Sequence, residues 1–442
     1  MSATFFAVPD VRRYALRNVR VPACTTAQPA HSGDFVEADL LIEDGRIAAV
    51  APAGTVPAAD GPDLGRSLVL PGMIDCHTHL DKGHIWPRQP NPTGDVPGAA
   101  HATGVDRTAR WNAEDVRRRM EFGLMTAWAH GVVAIRTHLD CLAPQAAISL
   151  PVLEALRDAW AGRIALQANV LVPLDVYLTD EARALADAAQ RAGATLGAVA
   201  RFRTLPNHPI TPQFDVAMTR LLRLASERGL DVDLHVDEST DPTSRMLPEV
   251  ARIVRRERFD GRVLCGHCCS LALQDERYVD ATLDALAAAR IDIVSLPTVN
   301  LYLQSRAPGK TPTWRGVTLL HEMRARGLRV AVAGDNCRDP FYAYGDHDML
   351  DTFTQAVRIL QLDHPIGDWL AAATRTPAQI MGLEAGPRGV VAAGEPADVI
   401  VTRARDYSEL LSRHQFDRVV LRAGRPIDTT LPDYRLLDDL MV

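Results

Sequence analysis

Nowhere does this 442-residue chain hold an apolar run of the roughly eighteen residues that a membrane-spanning helix needs, so no span is expected. Its first residues, MSATFFAVPDVRRYALRN, lack a long apolar stretch followed by a small-residue cleavage site, and no secretory leader is expected. Seven cysteines (Cys24, Cys76, Cys141, Cys265, Cys268, Cys269 and Cys337) follow no disulfide-framework spacing. The adjacent pair Cys268-Cys269 suits a zinc knuckle poorly. A cytoplasmic protein with reduced thiols is therefore expected. No block of like charge suggests an interaction tail. The 48 basic and 55 acidic residues leave a net charge of −7, which gives no electrostatic reason to expect nucleic acid as a partner. No strand-like run is followed by a Gly-rich dinucleotide fingerprint, which argues against a Rossmann fold.

What remains is an ordinary globular composition, 47% hydrophobic and 23% charged, in a chain long enough for a large barrel and a smaller partner. Both ends read as strands. Tyr14 to Val21 alternates partly, and Ala38 to Val50 is a hairpin around the Asp44-Gly45 turn signal. Ala397-Asp-Val-Ile-Val-Thr and Arg418-Val-Val-Leu-Arg-Ala-Gly have the same character. Residues 1–67 and 385–442 are thus expected to build one small β-sandwich domain around a central region, 68–384.

That centre repeats a short apolar run, a polar end and a helix-like stretch. The runs begin at Leu68, Gly131, Ile164, Leu196, Leu230, Val263, Ile291 and Leu328. Such a succession favours a closed (β/α)₈ TIM barrel over an open sheet. Residues 81–106, rich in Pro and Gly, are expected as a long loop at its mouth.

Chemistry gathers at the ends of the runs, where a barrel builds its site. The first ends in Cys76-His77-Thr78-His79. Residues two apart in an extended chain point the same way, so both imidazoles can reach one metal. The fifth ends Leu234-His235-Val236-Asp237-Glu238, the sixth Gly266-His267 and the eighth Gly334-Asp335. Three histidines and a carboxylate from strands one, five and eight suit a catalytic zinc or iron site with room for water. Taken singly, His235 or His267 could be a hydrogen-bonded core histidine, Asp335 a turn former and Glu238 a solvated helix start. Their joint placement at strand ends is what carries the signal.

The segments Pro71-Gly-Met-Ile-Asp-Cys-His-Thr-His-Leu-Asp, Leu234-His-Val-Asp-Glu-Ser, Gly266-His-Cys-Cys-Ser, Val299-Asn-Leu-Tyr-Leu-Gln-Ser-Arg and Gly334-Asp-Asn-Cys-Arg-Asp-Pro-Phe together resemble the amidohydrolase superfamily. Within it they are most similar to the cytosine deaminase branch. The resemblance spans residues 38–402 and takes in Arg136-Thr-His-Leu-Asp and Arg315-Gly-Val-Thr. It implies His77, His79, His235 and Asp335 as ligands of one divalent metal ion, zinc or iron. It implies Glu238 as the acid that shuttles a proton to a ring nitrogen, and His267 as the histidine beside the metal-bound water. No lysine matches a bridging ligand in Leu196-Gly-Ala-Val-Ala-Arg, so one metal is implied rather than two. A homo-oligomer is implied as well.

Two departures bear on the substrate. Cytosine deaminases carry a glutamine after the third strand that reads the pyrimidine edge; the matching stretch here, Gln167-Ala-Asn-Val-Leu-Val-Pro-Leu-Asp, is apolar at that point, which sets cytosine itself aside. The segment Asp81 to Arg88 places Lys82 and Trp86 at the mouth, with Lys82 suited to a carbonyl-rich or anionic ring. Asn336 stands where relatives tend to carry a second aspartate, and Phe341 and Gln304 are candidate pocket walls. The expected activity is hydrolytic deamination of an amino-substituted pyrimidine, pterin, purine or triazine. The alternatives are a cyclic amide hydrolase of the same superfamily and a catalytically inactive barrel used for binding.

Overall fold

A computed structural model describes residues 5–28, 33–203, 211–383, 386 and 388–442. Four strands open the chain: β1 (Arg13–Pro22), β2 (Phe35–Glu43), β3 (Arg46–Pro52) and β4 (Asp63–Pro71). Eight follow in the centre: β5 (Met73–Thr78), β6 (Val132–Asp140), β7 (Ala165–Leu171), β8 (Thr195–Val199), β9 (Val232–Val236), β10 (Val263–His267), β11 (Asp292–Ser295) and β12 (Val330–Val332). The chain closes with β13 (Val399–Val401), β14 (Val419–Arg422) and β15 (Arg425–Pro426). They form two sheets. One runs β15-β14-β13-β4-β1-β2-β3, built from both ends of the chain; the other is the parallel succession β5 to β12.

Local chemistry accounts for these elements. Asp44 and Gly45 both take positive φ, 48° and 78°, the geometry of a two-residue hairpin turn that brings Glu43 opposite Arg46. Alternation then buries Leu16, Val19, Leu40, Ile42, Val399 and Val401 in one small apolar core. In β4, Val69 joins that core while Leu68 and Leu70 face the larger one under the barrel. β13 and β14 do the same, with Ile400 and Val420 in the larger core and Val399, Val401, Val419 and Leu421 in the small one.

Three expectations need correction or bounding. The passage from small sheet to barrel, expected after residue 67, falls at Gly72, because β4 keeps pairing with β13 through Pro71. Gly72 is required there: a Cβ would sit 2.1 Å from Val133 Cγ1. The return boundary at 384/385 lies outside the described residues. The long loop expected over 81–106 ends early, since a helix spans Val96–Arg110. Asp95 caps it by accepting from the Gly98 N–H at 2.9 Å, and Pro97 fits the first turn, where its missing N–H costs nothing.

Further helices, among them Ala113–Ala129, Pro212–Ser226 and Met349–Leu360, ring the parallel strands. The barrel closes without a full ladder between β5 and β12. Instead Asp335 donates its N–H to His77 O at 2.8 Å, and His79 donates to Asp335 O at 2.9 Å. The Thr78 hydroxyl adds a third bond to Asp335 O at 2.8 Å. Asp335 accepts a left-handed backbone, φ 60°, to sit in this seam. Among the described residues, no helix is long and apolar enough to cross a membrane.

Candidate active site

The seam sets the site. His77 and His79 leave β5 on the same side, and Asp335 is carried against them by the backbone bonds just described. His79 Nε2 lies 3.2 Å and His77 Nε2 3.6 Å from Asp335 Oδ1. His235, at the end of β9, brings its Nε2 to 3.3 Å from His79 Nε2. His77, His235, His267 and Asp335 each offer a ligand atom within 4.8 Å of the others. That grouping leaves out His79, but the short distances from its Nε2 place it in the same cluster. All five side chains are buried.

The charge state of this cluster is unusual. Burial holds the His77, His79 and His235 imidazoles well below their ordinary pKa, with neighbouring cations adding to the effect. Burial likewise lifts the Asp335 carboxyl far above the carboxylate range, and Glu238 and Asp339 push it the same way. Among the described residues, neither Asp335 oxygen nor either ring nitrogen of His77 has a hydrogen-bond partner. Orphaned buried atoms cost about 1–3 kcal/mol each unless something satisfies them. Neutral imidazoles and a carboxylate converging on one point form a donor set that a divalent cation satisfies at once. The residues present therefore fit a metal ion.

Around the cluster lies a cavity of about 480 Å³. Its wall includes Glu238, His267, Lys82, Asn336 and Phe341, all expected there, together with Arg107, Asp140, Arg201, Phe202 and Arg203. His267 turns its Nδ1 toward the Asn300 amide at 3.0 Å and lies 3.7 Å from Glu238 Oε1. Its Nε2 has no partner among the described residues. Lys82 sits 3.3 Å from Asp140 Oδ1, with Nζ 5.0 Å from the centre of the Phe341 ring. Burial lowers the pKa of this lysine, but Asp140, Asp81 and Asp339 outweigh it and hold the ammonium above its usual value. Asn336 donates to Asp339 Oδ2 at 2.7 Å, so its amide is held from behind.

Two expected pocket residues are elsewhere. Trp86 is half-buried, its N–H donating to Arg338 O at 2.8 Å, and Gln304 is buried against Gly316; neither is among the residues lining the cavity. Other groups went unassigned in the sequence. His138 stacks on His77 with ring centres 3.8 Å apart, and Asn169 Nδ2 lies 2.9 Å from its Nδ1. Arg136 pairs with Asp233 at 3.1 Å and with Gln167 at 3.0 Å, forming a polar layer beneath the histidines. Arg136, His138 and Asp140 alternate along β6 as His77 and His79 do along β5, and that period was the available signal. Arg107 comes from the helix that begins inside the expected loop and runs past its end.

A parallel barrel with a buried histidine-carboxylate cluster at the C-terminal ends of its strands defines the class: a barrel hydrolase built around a candidate metal centre. The chain belongs to the amidohydrolase family, whose description matches residues 99–427. Over 446 aligned residues, covering 100% of both chains, it is 49% identical to a pterin deaminase from Rhizobium rhizogenes. Its fold is shared by 5-methylcytosine deaminase from Klebsiella pneumoniae, with a TM-score of 0.79 at 24% identity, covering 95% of this chain and 98% of the other. The N-isopropylammelide isopropylaminohydrolase from Burkholderia multivorans gives 0.72 at 24% identity, covering 94% and 98%. The chain is an enzyme, a hydrolase of carbon–nitrogen bonds and a deaminase.

Proposed function

We propose that this deaminase releases ammonia from a pterin-type ring, a fused amino-oxo heterocycle, using one divalent metal ion, zinc or iron, held by His77, His79, His235 and Asp335. One observation carries the reading: a buried carboxylate, Asp335, lies among imidazole nitrogens with no hydrogen-bond partner among the described residues, at the floor of a cavity walled by Glu238 and Lys82. The full-length likeness to a pterin deaminase supports the choice of ring, as does a cavity of about 480 Å³, which has room for two fused rings.

When bound, the metal supplies the acidity that makes water a nucleophile at neutral pH. The chain's residues supply the rest. His267 orients the attacking water through its Nε2–H, and Asp335 receives the water's proton. Glu238, protonated at the start, gives its proton to the ring nitrogen beside the amino-bearing carbon. The proton taken from the water passes to the departing amine, and the proton of the new hydroxyl group restores Glu238 as the carbonyl forms. Water oxygen joins the carbon, the bond to the exocyclic nitrogen breaks, and the products are the oxo ring and ammonia. Asn300 holds the His267 ring in place through its Nδ1, which leaves Nε2 toward the reacting water. Lys82 donates to a ring carbonyl or an anionic substituent, and Phe341 offers an aromatic face.

Ammonia release by metal-replete protein across pterins, cytosine, aminopurines and aminotriazines tests this. Metal-dependent release from pterins, lost in Glu238→Gln, is the expected result. Ammonia from another ring alone refutes the pterin assignment. Ring opening without ammonia refutes the mechanism.

A further inference from the structure

A second cluster lies behind the first. His84, Cys337 and His347 bring an imidazole nitrogen, a thiol sulfur and another imidazole nitrogen within 4.8 Å of one another. All three side chains are buried. Among the described residues, both ring nitrogens of His84 and the Nε2 of His347 lack a hydrogen-bond partner. This is the same signature that marks the candidate active site, but with a sulfur in the donor set.

We propose that His84, Cys337 and His347 bind a second, structural divalent ion of the zinc type. Two imidazoles and one thiolate form a borderline-soft donor set that favours zinc over the oxygen-seeking magnesium or calcium. Several features favour occupancy. The backbone N–H of His347 donates to the Cys337 sulfur and fixes its position. Cys337 and His347 line a separate cavity of about 340 Å³, which gives an ion a way in and leaves room for water as a fourth ligand. On the other side His84 is closed off by Phe122, whose ring meets it edge-on at 4.7 Å. Gly123 makes space for the His347 ring, since a Cβ there would lie 3.0 Å from Nε2. Arg338 and Arg119 stand near His84 and oppose added positive charge. Asp346 lies near Cys337 and offsets part of that charge.

The location gives the site its purpose. His84 follows β5 and Cys337 follows β12, and the His84 N–H already donates to Cys337 O at 3.0 Å. An ion joining their side chains braces the two loops whose preceding residues, His79 and Asp335, meet in the barrel seam. Asn336 lines both cavities and stands between the two centres.

Cobalt titration of the metal-free full-length enzyme reads this out. Two equivalents should bind. The ion at the second site should bring a near-ultraviolet thiolate-to-cobalt absorption, which the sulfur-free cluster at the mouth cannot produce. Cys337→Ser and His347→Gln should each abolish that band and weaken the sulfur-linked equivalent by more than the 10–100-fold typical of losing an outer partner, leaving the other equivalent in place. In the unmodified enzyme, two equivalents of zinc should also protect Cys337 from alkylation, read by mass spectrometry, which covers the case of a variant that fails to fold. One equivalent without the sulfur band, a band that survives in both His84→Gln and His347→Gln, or no protection of Cys337, overturns the proposal.

Discussion

Two aspartates, each almost wholly buried, are treated in opposite ways by this molecule. Asp39, in the small sheet, is 0% exposed and accepts from the backbone N–H groups of Asn18, Gly54 and Val56 at 2.7, 2.9 and 3.0 Å. Asp335, at the barrel mouth, is 1% exposed, and among the described residues neither of its oxygens accepts from a protein donor. Burying a carboxylate is costly in both places. In the sheet the cost is offset within the fold, and the carboxylate locks three backbone groups. At the mouth it is left open, so the lone pairs remain available to something that is not protein. A buried acid without partners therefore marks function, whereas a buried acid with three marks architecture.

The contrast can be broken in four ways. Glu238→Gln should have the largest effect, lowering kcat by about 10²–10⁴-fold while metal content by mass spectrometry stays unchanged. Lys82→Met should lower kcat/KM by about 10–100-fold, the range for losing one hydrogen bond from a charged donor. The two aspartates themselves should then part company in thermal melts of metal-free protein. Asp39→Asn should cost about 1–3 kcal/mol with ammonia release per folded molecule unchanged; Asp335→Asn should melt no lower than the parent yet lose activity. An Asp335→Asn protein that is markedly less stable without metal would make Asp335 structural as well. Trp86→Ala should do least, with stability changing by about 0.5 kcal/mol or less and kcat/KM by less than about twofold.

Much of this was legible because a barrel writes its chemistry at strand ends. Each of the eight apolar runs is too short for a helix, and polar residues at several of their ends line the mouth, so His77, His79, His235 and Asp335 could be grouped before any coordinates. The passage between sheets was misplaced because Leu68, Val69 and Leu70 read as the start of the first barrel strand, whereas their pairing with β13 assigns them to the small sheet and the chain crosses at Pro71-Gly72. The Val96–Arg110 helix was masked by Pro97 and Gly98, which read as breakers unless Asp95 is recognised as a cap. Trp86 and Lys82 looked equivalent in sequence. They part because backbone bonds to Arg338 and Cys337 fix the turn that follows Lys82. His138 stood in plain view, but stacking between neighbouring strands cannot be read from one of them.

The seam sets a timetable for synthesis. Thr78 and Asp335, which close it, are 257 residues apart. A ribosome adding about 5–20 residues per second makes the first of them about 13–50 s before the second. Throughout that interval the nascent chain carries His77 and His79 on a strand whose closing neighbour has not yet been made. The small sheet is also unfinished then, because β13 and β14 come later still. The barrel seam can close once Asp335 has emerged, whereas the small sheet must wait for β13 and β14.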